Sequence, residues 1–230
     1  MANPAPPGVH SLEKVLPTGW GLNMHLVDLP NRGLLVHSPT WLGDDTFARV
    51  EKLGKPTVLF APNHFHHLSL KRFRERYPQA KAVAPLGAIP RLSRQGHLKL
   101  EDAKTIEPLL PRGGHVLVSD GLKNGEGFLS LETAGGRAWI VGDAFFDVNR
   151  PTKGFAGFVL RATGTVPGLC CGMTFKLLAV ADKRRYLAWL EKALADEEPT
   201  TLIVSHGDPV TDPKLAERLL SITQARLGVS

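Results

Sequence analysis

The chain has little cysteine and no long apolar segment. Its only cysteines, Cys170 and Cys171, are adjacent among 230 residues, so they exclude a disulfide framework and indicate a reducing compartment. The most apolar stretch, residues 168–181, is shorter than the ~20 residues that a membrane-spanning helix needs and includes Lys176. The N-terminus lacks the basic region and apolar run of a signal peptide. We therefore expect a cytoplasmic protein with no membrane span.

Several familiar catalytic motifs are also missing from the sequence. No Gly-x-Ser-x-Gly segment surrounds a serine, and no glycine-rich phosphate-binding motif occurs. The two cysteines lie in an apolar run beside Leu169 and Met173, which is typical of buried, unreactive thiols. These absences argue against a serine or cysteine nucleophile and against a nucleotide cofactor.

The charge balance is basic, with 28 lysines and arginines against 22 acidic residues and a net charge of +6. This excess favours anionic partners. The one dense basic run lies between residues 71 and 76, and we interpret it as the solvated face of a helix. Nothing else in the sequence supports a nucleic-acid-processing enzyme, so we expect no nucleic-acid partner. We expect a small-molecule substrate, and the positive net charge favours an anionic one.

Turn-forming residues divide the chain into many short elements. The 23 glycines and 18 prolines are spread throughout, and 43% of the residues are apolar, enough for a sizeable core. We predict a flexible segment 1–10 followed by one domain over 11–230. The predicted strands are residues 24–28, 33–37, 57–61, 82–84, 116–118, 128–131, 138–141 and 201–204, and the predicted helices begin near residues 45, 68, 182 and 213. This order indicates a layered α/β sandwich.

Potential metal ligands follow three of the predicted strands. His64, His66 and His67 come directly after strand 57–61, Asp143 follows strand 138–141, and His206 follows strand 201–204. Chemistry in α/β sheets usually lies at the carboxyl ends of strands, and imidazoles and carboxylates are ligands of zinc and iron. One site that contains these side chains explains the pattern better than a separate structural role for each residue.

The same residues carry a resemblance to a known family. The order His-x-His at 64–66, Gly-Asp at 142–143 and His-Gly at 206–207 resembles the metallo-β-lactamase superfamily. Segments 36–39, 53–54, 61–67 and 77–80 are similar to a divergent branch of that superfamily with an altered metal motif. The resemblance covers roughly residues 20–227. It implies an αββα sandwich, in which two sheets pack face to face with helices outside.

The sequence departs from the superfamily motif His-x-His-x-Asp-His. In one register His64 and His66 are the first two ligands, but leucine and serine then occupy the Asp and His positions. In the other register, which aligns the strand and helix slightly better, proline takes the first position, His64 the second, and His66-His67 stand in the Asp-His positions. Both registers place His64 and His66 in the site, and only the second includes His67.

A further superfamily histidine, before the Gly-Asp strand, is absent. Segment 122–127 takes its place and offers Asn124 or Glu126. Glu126 is either a substitute carboxylate ligand or a hairpin-turn residue. A full two-metal ligand set therefore cannot be assembled.

The resemblance implies a metal-dependent hydrolase with an atypical site. We expect His64, His66, His67, Asp143 and His206 as ligands of one zinc or iron ion, with Asp143 and His206 also acting in catalysis. The substrate would be an ester, thioester, lactone or phosphoester. The alternative is a scaffold that has lost its metal and serves as a binding or interaction module.

Overall fold

Two large β-sheets form the centre of the molecule. The structure is a computed structural model that describes residues 5–17, 21–149, 154–162 and 168–229. In spatial order the first sheet contains β1 (Val9–Val15), β2 (Gly21–Asp28), β3 (Gly33–His37), β4 (Lys55–Phe60), β5 (Lys81–Ala84) and β6 (Glu101–Asp102). The second contains β13 (Val210–Thr211), β12 (Pro199–Val204), β9 (Gly136–Val141), β8 (Gly127–Thr133) and β7 (His115–Val118). A small ribbon pairs β10 (Phe146–Val148) with β11 (Gly168–Cys170).

Helices connect these strands and cover the sheets. They are α1 (Thr46–Glu51), α2 (Leu70–Arg76), α3 (Ile89–Arg94), a 3-10 helix (Ala103–Leu109), α4 (Gly154–Ala162), α5 (Met173–Leu178), α6 (Lys183–Glu197) and α7 (Leu215–Leu227). None of these helices is long and apolar enough to cross a lipid bilayer.

The two sheets pack face to face, and this burial on two sides explains the apolar runs in their central strands. Val58 and Phe60 of β4 belong to the core between the sheets, together with Ile140 of β9 and Ile203 of β12. Leu59, which points the other way, packs into the layer beneath the helices. The alternation follows from the two-residue period of a strand.

Helices close both outer faces and complete the four layers. On the first sheet, the outward residues of β2 to β4 pack with Val50 of α1, Phe73 of α2 and Leu92 of α3. On the second, β8, β9 and β12 pack with residues of α5, α6 and α7, among them Tyr186 and Leu219. The predicted αββα sandwich is confirmed.

Most predicted elements are present, and the differences lie mainly at the ends and edges. Strands β2 and β3 form the expected antiparallel hairpin, and the Asp182 side chain accepts hydrogen bonds from two backbone N–H groups at the start of α6, as a helix cap does. Strand β1 was not predicted. It begins at Val9, inside the segment expected to be flexible, and pairs with β2. Residues 1–4 lie outside the described ranges.

The basic run forms helix α2, and three of its cations contact other parts of the chain. Arg72 lies 4.7 Å from the ring centroid of Trp41, and Arg74 donates a hydrogen bond to a backbone carbonyl at 2.6 Å. Arg76 pairs with Glu51 at 2.8 Å. These contacts account for much of the basic cluster in structural terms.

Candidate metal centre

The carboxyl ends of three strands meet at one edge of the sandwich. Strands β9 and β12 are parallel neighbours, with Ile140 opposite Ile203, so the residues that follow them emerge side by side. Asp143 follows β9, and His206 follows β12. His66 reaches the same place from the other sheet, in the loop after β4. The sandwich thus brings together groups that are far apart in sequence.

Three side chains converge there. His66 Nε2 lies 3.1 Å from Asp143 Oδ1, and His206 Nε2 lies 3.5 Å from the same oxygen. One ligand atom from each residue lies within 4.8 Å of the other two. Within the described ranges, this is the one group of three or more His, Cys, Asp or Glu side chains with metal-site spacing.

The outer ring nitrogen of each histidine is held by the protein. His206 Nδ1 lies 3.1 Å from the carbonyl oxygen of Gly21. Because a carbonyl only accepts, Nδ1 carries a proton, and Nε2 is the nitrogen that faces Asp143. His66 Nδ1 lies 2.5 Å from the Ser38 hydroxyl. Metal-ligating histidines usually have such a partner on the second nitrogen, because it fixes the tautomer and the ring orientation.

Ser38 adopts an uncommon backbone conformation to make this contact. Its φ is 57°, in the left-handed region that residues other than glycine rarely occupy. Hydrogen bonds hold it on both sides: its N–H donates to the Phe60 carbonyl at 2.9 Å, and its own carbonyl accepts from Thr40 Oγ1 at 2.8 Å. Such strain is found preferentially at functional sites.

Glu126 fixes the loop that carries Asp143. The Glu126 side chain is fully buried, and its Oε1 accepts hydrogen bonds from the backbone N–H groups of Gly142, Asp143 and Ala144 at 3.1, 2.9 and 3.1 Å. Its Oε2 accepts from the Asn124 amide at 3.0 Å. Glu126 therefore lies behind Asp143 as a support and outside the three-ligand group.

Asn63 links the histidine loop to both carboxylates. Its Nδ2 donates to Asp143 Oδ2 at 2.9 Å and to Glu126 Oε2 at 3.2 Å. Its Oδ1 accepts from the backbone N–H groups of Phe65 and His66 at 2.8 and 3.2 Å. Since Oδ2 of Asp143 is engaged in this way, Oδ1 is the oxygen that faces the imidazoles.

The charges in this cluster are strongly coupled. Burial alone would raise the pKa of Asp143, but the charges and hydrogen bonds of His66 and His206 outweigh it and hold that pKa well below the usual range. Burial alone would lower the pKa of His66, but Asp143 outweighs it and the pKa is raised. Burial, and then the charge of Asp143, raise the pKa of Glu126. Asp143 is thus a carboxylate at ordinary pH, the form that ligates metals.

His64 and His67 do not join the group. The His64 ring packs against Phe65, with ring centroids 4.2 Å apart, and His67 Nδ1 lies 2.9 Å from His97 Nε2. Consecutive side chains in this turn point in different directions, and only His66 is directed at the carboxylate. The structure therefore reproduces neither register of the His-x-His motif in full.

Two cavities adjoin the group, and both include Phe65 and Asp143 in their walls. The larger has a volume of about 300 Å³, and its walls include Ser38, Trp41, His66, Leu68 and His206. The smaller has a volume of about 160 Å³, and its other walls are Phe146, Thr174, Phe175, Leu178 and Ala179.

Comparison with known proteins identifies the architecture. No protein-family model matches the chain, and no curated protein matches its sequence. Solved metallo-β-lactamases do match in structure, among them the following three. For DIM-1 the TM-score is 0.61 at 12% identity, over 98% of this chain and 97% of that one. For the enzyme from Hirschia baltica it is 0.58 at 11% identity, over 97% of each chain. For FIM-1 from Pseudomonas aeruginosa, in its mono-zinc form, it is 0.60 at 13% identity, over 98% and 95%.

The chain has the metallo-β-lactamase fold. At these identities the likeness extends to the fold, and the chemistry has to be argued from the site.

Within this metallo-β-lactamase fold, the three converging groups fit a divalent ion. Tetrahedral ligands about 2.1 Å from a zinc ion lie roughly 3.4 Å apart, and the two distances to Asp143 Oδ1, 3.1 and 3.5 Å, lie on either side of that value. Two imidazoles and one carboxylate form a ligand set used by zinc and by non-haem iron.

Sequence reasoning did not single out the residues that orient these ligands. Ser38 lies 28 positions before His66 and the Gly21 carbonyl 185 before His206, and nothing local marks either contact. Asn63 borders the histidine cluster, and that position was its one available signal. A backbone carbonyl has no sequence signature at all.

Proposed function

We propose that the protein is a metal-dependent hydrolase with one ion held by His66, Asp143 and His206. The observation that carries this proposal is the convergence of two Nε2 atoms on one carboxylate oxygen, with both outer nitrogens engaged by the protein. Three protein ligands leave a coordination position open, as catalytic zinc sites do.

The ion would be zinc or iron, since the ligand set suits both. Bound there, it would lower the pKa of a coordinated water towards about 7 and polarise an acyl or phosphoryl oxygen. No nucleophile from the chain is needed. Burial raises the pKa of the Cys171 thiol to about 12, so that thiol would be unreactive at neutral pH.

The residues of the chain would bind, orient and hold protons around the reacting group. Asp143 supplies the negative charge of the ligand set, and Asn63 keeps its second oxygen occupied. His206 is 15% exposed and closes the site as the third ligand. Its Nδ1–H donates a hydrogen bond to the Gly21 carbonyl.

The larger cavity favours a small-molecule substrate. Its volume of about 300 Å³ lies at the lower end of the range for ligand pockets, which suits a compact ester, thioester, lactone or phosphoester. The sequence has two cysteines, which are adjacent and buried, and on that basis we further propose a cytoplasmic location.

The test is hydrolysis by the chain after reconstitution with zinc or, without oxygen, with iron(II). We expect turnover of at least one of the four ester classes, and Asp143→Asn should lower kcat/KM more than about 100-fold. Asp28→Asn is the matched control, because Asp28 also lies 3.1 Å from an imidazole, that of His10, at the exposed end of β2. Failure of the reconstituted chain to bind metal would instead support the binding module.

A further inference from the structure

The smaller cavity opens directly beside the candidate metal ligands. Asp143 forms part of its wall and of the wall of the larger cavity, so a molecule centred at this carboxylate can extend into both. Phe146, another wall residue, packs its ring against the ligand His206, with centroids 5.3 Å apart. The cavity therefore begins at the reacting position.

The walls of the smaller cavity are suited to an apolar group. Apart from Asp143 and Thr174 the walls are apolar. Phe146 and Phe175 are 5% and 2% exposed, and Phe146 is held in place, since a Cβ at Gly172 would lie 2.6 Å from its ring. This preformed surface suits an alkyl or aryl group.

Neither cavity offers the cations that usually bind phosphate. Within the described ranges, no lysine or arginine lines either of them. Recognition of phosphoryl groups commonly relies on those residues. The walls thus favour an uncharged acyl compound over a phosphoester.

The volume limits the size of the group. An engineered apolar cavity of about 150 Å³ in a protein interior binds benzene, that is, six carbons. The smaller cavity, at about 160 Å³, has the same capacity. Longer chains would extend past Leu178, which is 57% exposed at the cavity rim.

We propose that this cavity, formed by Phe65, Phe146, Phe175, Leu178 and Ala179, binds the acyl group of an ester, thioester or lactone with about six carbons. The inference rests on the proposed function, because it takes the reacting carbonyl to lie at His66, Asp143 and His206. The larger cavity then receives the leaving group.

Binding of straight-chain hydroxamic acids to the zinc-loaded chain tests this proposal without any turnover. The hydroxamate ligates the metal, and the alkyl tail reports on the cavity. From the two-carbon to the six-carbon acid, Kd should fall about fourfold for each methylene, and it should level off beyond that. Isothermal titration calorimetry measures the series.

Variants of two adjacent leucines make the test specific. Leu178→Trp fills the cavity, so the decrease in Kd from the two-carbon to the six-carbon acid should be less than about tenfold. Leu178→Ala enlarges the cavity, so Kd should continue to fall for acids longer than six carbons. Leu177→Trp is the matched control: Leu177 is 62% exposed on the same helix and is not a wall residue. Leu177→Trp should bind acetohydroxamic acid and the longer acids like the unmodified chain.

The outcomes separate this inference from the proposed function. If the chain binds acetohydroxamic acid but binds the longer acids no more tightly, the acyl cavity is contradicted and the proposed function is not. Equal effects of the two tryptophans would also overturn it. A chain that binds neither zinc nor acetohydroxamic acid contradicts the proposed function, and the acyl cavity with it.

Discussion

At the scale of single residues, the metal site depends on groups that orient the ligands. Ser38 is 1% exposed and keeps a left-handed backbone with its hydroxyl on His66. That contact fixes which nitrogen of His66 faces Asp143. Without this contact, the His66 ring could turn and present its other nitrogen to Asp143.

Replacing Ser38 by alanine should therefore weaken metal binding. We expect Ser38→Ala to lower zinc affinity about 10- to 100-fold, because partners of metal-bound histidines typically have effects of that size. Competition with a chromophoric chelator measures the affinity. Ser11→Ala is the matched control, since the Ser11 hydroxyl lies 2.9 Å from the imidazole of His25, outside the three-ligand group. Equal zinc affinities in the two variants would remove Ser38 from the site.

The sequence identified the ligands at strand ends better than those inside a turn. Asp143 and His206 each follow an apolar strand, and the carboxyl ends of parallel neighbours meet. His64, His66 and His67 could not be told apart in this way. The direction of a side chain in a turn depends on contacts such as that of Asn63 with Phe65, and no motif encodes those contacts.

At the scale of elements, the turn after β12 sets the position of His206. Gly207 has a φ of 118°, and a Cβ there would overlap the backbone carbonyl of Asp147. Strand β10 thus packs against Gly207 itself, directly beside a ligand. Only glycine satisfies both conditions.

Gly207→Ala should be strongly destabilising. We expect a loss of about 3 kcal/mol or more in the free energy of unfolding, from backbone strain together with the displacement of β10. Gly96→Ala should lose only about 1 kcal/mol, because Gly96 also has a positive φ but no atom within 4 Å of the added Cβ. Urea denaturation of both variants decides the matter, and similar losses would contradict this role of the turn.

Strands β2 and β3 place two buried histidines opposite each other. His25 and His37 are cross-strand partners, and neither is exposed. Burial lowers the pKa of His25 to about 4 and that of His37 well below its usual value. The ring nitrogens of His37 have no hydrogen-bond partner among the described residues.

This pair should make the fold sensitive to acid. Because both pKa values are lower in the folded chain, the unfolded chain binds more protons below about pH 6.5. Above that pH the two neutral rings do not reduce the free energy of unfolding. As the pH falls towards 4, the free energy of unfolding decreases by up to about 1.4 kcal/mol per pH unit for each ring. Between pH 6.5 and 5, His37→Leu should lose about 2 kcal/mol less than the unmodified chain. Urea unfolding with a chelator present measures the free energy of unfolding of both proteins at the two pH values. Equal losses would contradict the lowered pKa of His37.

Local signals predicted the central elements and missed the peripheral ones. The β2–β3 hairpin has apolar strands around a proline-containing turn, and β4 ends in an apolar run. Strand β1 alternates without a strong apolar face and is only partly buried, and β10 and β11 have three residues each. Such strands form because a neighbour pairs with them, which the sequence does not report.

At the scale of the whole molecule, the residues predicted layers, and the family resemblance supplied their arrangement. The parallel pairing of β9 with β12 joins segments about 60 residues apart, and no periodicity encodes that choice. The structural likeness at 11–13% identity then establishes the fold. It leaves the number of metal ions to be decided by the side chains, and those of the described residues place one three-ligand group at the edge of the sandwich.

The most direct test of the account is the metal content of the purified chain after zinc or iron reconstitution, by elemental analysis. We expect about one ion per chain, and close to none in Asp143→Asn with its fold retained by circular dichroism. One ion per chain in both proteins would place the metal elsewhere. No ion in the unmodified chain, or two, would contradict the single site formed by His66, Asp143 and His206.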